Sequence, residues 1–234
     1  MNDNNCVGFA LVDKPEGIPS FRVITRIRKI TQVKKVGHAG TLDPFSSGLL
    51  IVAIGREFTR EISGFQGQDK SYLVRMVLGI ETDTLDSYGK IVNTDPSVVG
   101  KIYSENEIND VFCKFIGTQL QESPIYSAKK IDGKRSCDLV RKGKIIEAKV
   151  STINIFEINL VSINKYGYPV IRFRVKSSKG TYVRSLVRDV AKELGTVAYT
   201  KNLVRTQIGS YSLENALEYN DLTKEAIQKA LFTS

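Results

Sequence analysis

The chain has 234 residues, of which 41% are hydrophobic, so it is long enough to bury a sizeable core as one domain. The formal net charge of +9 and the sequence pI of about 9.4 favour a polyanionic partner such as nucleic acid. Three widely spaced cysteines without a C-x-x-C pair exclude a disulfide framework, and the lack of a signal peptide or membrane-length apolar run indicates a cytoplasmic protein.

The N-terminal third of the chain predicts three strands and a helix. "VGFALVDKP" is typical of a strand that Pro15 stops, and Ser20 is expected to cap a helix over "FRVITRIRKIT". Arg22, Arg26 and Lys29 line one face of that helix. After a loop, "GLLIVAIG" is a continuous apolar run that predicts a buried strand, and "DKSYLVRMVLG" predicts another.

The rest of the chain mixes helices and strands without regular βαβ alternation. We expect a surface loop over 93–106, a helix over "ENEINDVFCKFIG" and an exposed basic segment over "QESPIYSAKKIDGKRSC". "PVIRFRVKSSKG" alternates, with Arg172, Arg174 and Lys176 on its polar face. "TYVRSLVRDVAKELG" predicts a helix whose Arg184 lies opposite the apolar stripe. These elements predict an α+β fold with a mainly antiparallel sheet.

The loop "VGHAGTLDPFSSGLL" concentrates chemically useful residues. It holds the only histidine, His38, and Asp43, whose backbone the following Pro44 favours as extended. A carboxylate on a tight loop before a buried strand is a common way to present a catalytic group. The alternative is a structural role, in which Asp43 forms an Asx-turn and His38 packs locally.

Other kinds of catalytic site do not fit this loop. No G-x-S-x-G sequence supports a serine triad, no second histidine supports zinc, and "GHAGT" lacks the G-K-[ST] ending of a phosphate loop. A carboxylate that works without a metal, as nucleophile or base, is the remaining prediction.

"GHAGTLDPFSSGLLIVAIG" closely resembles the signature of the TruB family of tRNA pseudouridine synthases. "VDKPEGIPS", "GIETDTLDSYGKIV" and "SSKGTYVRSLVRDVAKELG" agree with the family in order, so the resemblance spans nearly the whole chain. It implies one pseudouridine synthase catalytic domain over 1–234, with a C-terminal PUA-type RNA-binding domain absent or vestigial after about 210. It also implies that no metal or organic cofactor takes part.

The resemblance further implies an activity and its residues. The family isomerises uridine 55 in the TΨC loop of tRNA by base flipping, and Asp43 matches its nucleophile. Tyr72 matches the tyrosine that stacks on the target base and is proposed as a base on the sugar, and Arg184 matches the arginine that pairs with the aspartate. The other matches are His38, which holds the flipped conformation; Arg60, near the substrate backbone; and Tyr182 and Leu203, which line the base pocket.

Simpler interpretations exist for individual residues and for the whole chain. Tyr72 is also explained by ordinary strand packing, and Arg184 by a solvated position on its helix. The alternative functions are a non-catalytic RNA-binding or RNA-folding protein and a hydrolase that uses Asp43 and His38. The expected partner is the T-arm of tRNA, bound by a monomer without an obligate protein partner or a membrane. The residues leave open whether the reaction passes through an acyl ester or a glycal.

Overall fold

The computed structural model describes residues 6–125, 130–131, 134–135 and 149–233. Its strands are β1 (Gly8–Lys14), β2 (Val36–Ala39), β3 (Ser47–Ile54), β4 (Lys70–Leu78), β5 (Ile80–Thr82), β6 (Ile91–Thr94), β7 (Gly117–Glu122), β8 (Lys130–Ile131), β9 (Lys134–Arg135), β10 (Val150–Asn164), β11 (Val170–Ser177), β12 (Ala198–Ile208), β13 (Tyr211–Ser212) and β14 (Leu217–Glu218). Its α-helices are α1 (Ser20–Thr31), α2 (Arg56–Gln66), α3 (Glu105–Cys113), α4 (Val183–Glu193) and α5 (Lys224–Lys229), and Pro96–Val98 and Leu213–Asn215 form 3-10 turns.

Internal contacts divide the chain into two compact units. The first unit joins residues 1–72 to 204–234, and the second spans 73–203. Strands β4 and β12 each run from one unit into the other, because the boundaries fall inside them. The single catalytic domain over 1–234 stays a prediction.

The sheet of the first unit is built around β3. One edge of β3 pairs with β1, antiparallel, and β1 pairs in turn with β14, parallel. Two strands share the other edge of β3. Strand β12 pairs parallel with the start of β3, where Arg205 lies opposite Gly48, and β2 pairs antiparallel with the second half of β3. The loop 40–46 that connects β2 to β3 therefore begins and ends beside the point where β12 reaches β3.

Strand β3 is buried on both faces, which explains its continuous apolar sequence. One face packs with α1 and α5 in a cluster of Val12, Val23, Ile24, Ile27, Val36, Leu50, Val52, Ile54, Leu222 and Ile227. The opposite face packs with α2 in a cluster of Phe9, Leu11, Ala39, Leu49, Ile51, Ala53, Phe65 and Ile208. The prediction of a buried strand is confirmed, and the residues after 210 contribute to the core of this unit.

In the second unit, β4, β11, β10 and β7 follow one another in the sheet, and β10 pairs antiparallel with both β11 and β7. Strand β11 alternates as predicted: Ile171, Phe173 and Val175 are buried, and the intervening Arg172, Arg174 and Lys176 are exposed. Phe112 of α3 packs on Phe173 with ring centroids 5.1 Å apart. The mainly antiparallel α+β architecture is confirmed.

Several local predictions are wrong. Ser20 does not cap α1, because its hydroxyl instead donates to the Leu42 carbonyl and accepts from the Leu42 amide. His38 lies on β2 rather than in a loop, and the segment 93–106 buries Val98 and Tyr103. Helix α3 ends at Cys113, before the predicted Ile116. Residues 126–129, 132–133 and 136–137 of the predicted basic segment 121–137 lie outside the described residues, and Gln121 and Ser123 at its start are buried rather than exposed.

Candidate active site

The loop 40–46 is pinned by hydrogen bonds on both sides of Asp43. Gly40 begins the loop with a φ of +84°, a conformation that disfavours other residues. Ser20 binds the Leu42 backbone with distances of 2.9 and 3.0 Å, and the Pro44 carbonyl accepts from the Gly17 amide at 2.8 Å. The Asp43 carbonyl accepts from the Ser46 amide at 3.1 Å. The half-buried Asp43 side chain is thus presented from a fixed backbone.

A buried arginine of β12 holds the start of this loop by hydrogen bonds. Arg205 is only 2% exposed, and its Nε donates to the Leu49 carbonyl at 2.8 Å. Its Nη2 donates to the Gly40 carbonyl at 3.1 Å, and its side chain also donates to the Tyr72 hydroxyl. The strands approach closely here, since a Cβ on Gly48 would lie 2.7 Å from the Arg205 backbone nitrogen. Arg205 therefore links the loop, β3 and Tyr72.

A second buried cation, Lys14, ends β1 near the same carboxylate. Its Nζ donates to the carbonyls of Pro15 and Ile18, both at 2.8 Å, and the residue has no exposed surface. Burial lowers the pKa of Lys14 from 10.5 to about 8, and the negative charge of Asp43 opposes this shift. Lys14 thus fixes the chain before Gly17, which holds Pro44.

Tyr72 and His38 complete the group, which we call the Asp43 cluster: Lys14, His38, Asp43, Tyr72 and Arg205. Burial raises the pKa of Tyr72, Arg205 lowers it by charge and hydrogen bonding, and Asp43 raises it. Burial and then the charge of Arg205 lower the pKa of His38, although a hydrogen bond to the backbone of Gly40 opposes them. Both rings are therefore neutral near pH 7.

Arg184 lies in the second unit and is held by a separate set of contacts. Only 4% of the residue is exposed; its Nη1 donates to the Thr84 carbonyl at 2.7 Å and lies 3.5 Å from Asp86 Oδ2. Asp86 Oδ1 in turn accepts from the Thr84 hydroxyl at 2.7 Å and the Tyr88 amide at 3.0 Å. The alternative interpretation of Arg184 as a solvated charge on its helix is wrong, because these oxygen atoms hold its guanidinium in the interior.

The remaining predicted residues differ in exposure. Arg60 is exposed on α2, and Leu203 of β12 is buried with 7% exposure. Tyr182 is half-buried at the start of α4, and its backbone exchanges two hydrogen bonds with the Gln121 side chain. The first unit therefore brings together His38, Asp43 and Tyr72, and the pairing of Asp43 with Arg184 stays a prediction. Within the described ranges, no three side chains of the metal-ligand types His, Cys, Asp and Glu cluster.

Sequence reasoning missed Lys14 and Arg205 as parts of the site. The sequence analysis assigned neither cation a role, because each is held by backbone carbonyl groups that the sequence pattern does not show. A signal did exist for Arg205, because Leu203 and Arg205 alternate on the inward face of β12. The sequence signal for Lys14 is weaker: it stands at the end of a largely apolar strand, just before Pro15.

Comparisons with known proteins identify similar sequences over most of the chain. The model of the "TruB family pseudouridylate synthase (N terminal domain)" matches residues 28–183. The tRNA pseudouridine synthase B of Chlamydia abortus is 40% identical over 211 residues, which is 90% of this chain and 86% of the relative. That of Clostridium tetani is 39% identical over 222 residues, covering 95% of this chain and 74% of the relative.

Solved structures give the same result at the level of the fold. An H/ACA RNP bound to a substrate RNA containing 2'-deoxyuridine aligns with a TM-score of 0.70 and 25% identity over 98% of this chain. A Cbf5-Nop10-Gar1 complex aligns with a TM-score of 0.72 and 26% identity over 97%. The chain spans 60% of the length of each of those solved chains. In the described part, none of the helices has the length and apolar character needed to traverse a bilayer. With a family model matched over most of its length and relatives near 40% identity, the chain belongs to the TruB family of pseudouridylate synthases.

Proposed function

We propose that this protein isomerises uridine 55 in the TΨC loop of tRNA to pseudouridine, with Asp43 as the nucleophile. The observation that carries the proposal is the Asp43 cluster, in which a carboxylate stands on a backbone pinned by Ser20, Gly17 and Arg205. Its relatives bear the name tRNA pseudouridine synthase B, which supports tRNA as the substrate class. The net charge of +9 suits that polyanion.

The chemistry demands a group that can reach the sugar of a flipped nucleotide. The bond between N1 of uracil and C1′ of the ribose breaks, the base turns, and C5 forms the new bond to C1′. The C5–H bond then breaks, and N1 ends with a proton, so the reaction is a balanced isomerisation. The target base must leave its stack before a carboxylate can reach it. A carboxylate on a fixed loop loses little entropy when it attacks, and it can form an acyl ester or assist a glycal pathway.

Tyr72 is proposed as the platform for the flipped uracil. An aromatic ring that is held in place binds an unstacked base through its face. The hydrogen bond from Arg205 fixes the Tyr72 hydroxyl, and burial raises the pKa of this phenol. A neutral, oriented phenol favours the stacking role over that of a phenolate base at neutral pH.

The other residues are proposed in supporting roles. Arg184 would orient the Asp43 carboxylate, and its own position is set by Asp86 and the Thr84 carbonyl. His38 would hold the rearranged RNA loop, Arg60 would contact its backbone, and Tyr182 and Leu203 would line the base pocket. We further propose that a cytoplasmic monomer binds the T-arm without an obligate protein partner.

The test compares wild type with Asp43→Asn on a T-arm hairpin. Asp43→Asn is expected to abolish pseudouridine formation and to keep RNA affinity within about threefold, because the amide retains the shape of the side chain but not its nucleophilic oxygen. Pseudouridine is mapped in the hairpin, and binding is measured separately. Arg75→Lys, an exposed position on β4, is the matched control. If an Asp43→Asn protein shown to be free of deamidation still forms substantial pseudouridine, Asp43 is not the nucleophile. If wild type binds the hairpin tightly but forms no pseudouridine, the protein is an RNA binder without catalytic activity.

A further inference from the structure

A groove of about 530 Å³ lies in the first unit, between α1 and α2 along β2. Its polar and aromatic lining comes from Phe21, Arg28, Lys35, His38, Thr59 and Gln66. His38 is shared with the Asp43 cluster, and β2 continues directly into the loop that carries Asp43. The groove is therefore a surface next to the proposed active site, and the roles assigned above leave it unexplained.

The lining has the character of an anion site with an aromatic wall. Arg28 and Lys35 contribute two positive charges, and the described lining residues include no carboxylate. Phe21 is 60% exposed, which is unusual for so large an apolar side chain, and the Arg28 guanidinium lies 5.8 Å from its ring centroid. This pairing places the cation over one side of an aromatic ring that is otherwise largely exposed.

Two nitrogen atoms at the groove lack partners within the described part of the chain. The Arg28 Nε and the His38 Nδ1 are both buried without a hydrogen bond there, and a neutral imidazole uses such a nitrogen as an acceptor. Buried polar atoms without partners are rare and call for an explanation, such as a ligand that completes them. Thr59 and Gln66 add a hydroxyl and an amide on the α2 side.

Addition of a peptide strand to β2 is a poor alternative. The Val36 carbonyl already accepts from Arg28 Nη2 at 2.9 Å, and the Lys35 carbonyl accepts from the Gly55 amide at 2.8 Å. An added strand needs such main-chain groups free along the edge. A planar, singly anionic ligand fits better, because it can stack on Phe21 and place its negative charge between Arg28 and Lys35.

We propose that this groove binds one unpaired nucleotide that flanks the target uridine in the same RNA, with its base on Phe21 and its phosphate at Arg28 and Lys35. The proposal rests on the proposed function, since it assumes that the RNA strand enters the Asp43 cluster. Only four residues of one strand and loop separate His38 from Asp43, which places the two subsites along one path.

The experiment measures the affinity of T-arm hairpins in the Asp43→Asn background, where turnover does not interfere. Phe21→Ala is compared with Phe156→Ala, which removes a phenylalanine 39% exposed on β10 and outside the groove. Each protein is also given a set of hairpins in which one loop nucleotide at a time is abasic. Because stacking one base on an aromatic ring contributes strongly, Phe21→Ala is expected to weaken binding about 5- to 100-fold, and Phe156→Ala less than about twofold.

A double-mutant cycle between the Phe21→Ala substitution and each abasic position identifies the nucleotide that binds in the groove. One abasic position next to the target is expected to weaken binding to the Asp43→Asn protein by a similar factor and to have no further effect once Phe21 is alanine. Equal affinities of the Phe21→Ala and Phe156→Ala proteins, or abasic losses that all persist without Phe21, would overturn the groove proposal. Circular dichroism checks that each variant is folded. The proposed function fails by a different result, namely absence of pseudouridine in hairpins treated with wild type.

Discussion

Replacement of Arg205 by lysine tests whether the buried cation organises the active site. Arg205 makes three buried hydrogen bonds, to the carbonyls of Leu49 and Gly40 and to the Tyr72 hydroxyl. A lysine ammonium keeps the charge but cannot reproduce the planar fork that reaches separate acceptors. If two of the three bonds are lost, and each contributes about 1.5–3 kcal/mol because the donor is charged, the free energy of unfolding falls by about 3–6 kcal/mol.

The effect on catalysis follows from the Gly40 bond. Without it the loop shifts, and a misplacement of about 1 Å at a catalytic group can cost about 100-fold in rate. We therefore expect kcat of Arg205→Lys to fall about 100-fold with KM nearly unchanged, since Arg205 is only 2% exposed and offers almost no surface for an RNA contact. Single-turnover rates on a T-arm hairpin, measured well below the melting temperature of the variant, separate this effect from unfolding.

Two further variants make the reasoning refutable. Arg75→Lys makes the same chemical change at an exposed site and is expected to be neutral. Tyr72→Phe removes one acceptor of Arg205, and its stability effect is expected to couple to Arg205→Lys by about 0.5–3 kcal/mol. If Arg205→Lys matches Arg75→Lys in both kcat and unfolding free energy, Arg205 is not the support of the loop.

The other predictions concern salt, metal and pH. The logarithm of the RNA association constant is expected to fall linearly with the logarithm of the salt concentration. If Arg172, Arg174 and Lys176 all contact phosphate, replacing them by glutamine is expected to make that slope shallower by about 2. An unchanged slope would show that the exposed face of β11 does not contact the RNA. Activity in excess chelator, on a hairpin that folds without magnesium, is expected to equal activity without chelator, and a loss that only zinc restores would contradict carboxylate catalysis. The lowered pKa of Lys14, about 8 against 10.5, means that the unfolded state holds the extra proton between these values. Stability of wild type relative to Lys14→Met is therefore expected to rise with pH from about 8 to 10.5, as urea unfolding would measure.

The elements that sequence reasoning placed correctly are those whose burial pattern is simple. Strand β3 is apolar throughout because both of its faces are covered, and β11 alternates because one face is exposed. Helix α2 was not predicted, because its apolar stripe consists only of Phe58, Ile62 and Phe65, at i, i+4 and i+7, and just the last of these is fully buried. Strand β2 was predicted as part of a loop, because it is only four residues long and contains Gly37 and the histidine His38.

The residues of the candidate site also differ in how far the sequence alone reveals them. Asp43 and His38 stand in a contiguous signature, so the resemblance found them without knowledge of the fold. The inward positions of Arg184 and Arg205 depend on carbonyl and carboxylate groups from distant segments, and helical or strand periodicity alone cannot reveal such partners. Charge and periodicity in the sequence therefore do not reveal a buried cation where the fold supplies oxygen atoms in the interior.

The discontinuous first unit has a consequence for the newly made chain. Arg205 follows Tyr72 by about 130 residues, so at roughly 5–20 residues per second a growing chain carries Asp43 for about 10–30 s before the arginine that supports its loop exists. Strand β14 and Phe232, which pair with β1 and Phe9, come later still. The Asp43 cluster can therefore assemble only when synthesis is nearly finished, and a chain cut short before β12 carries Asp43 without the arginine that supports its loop.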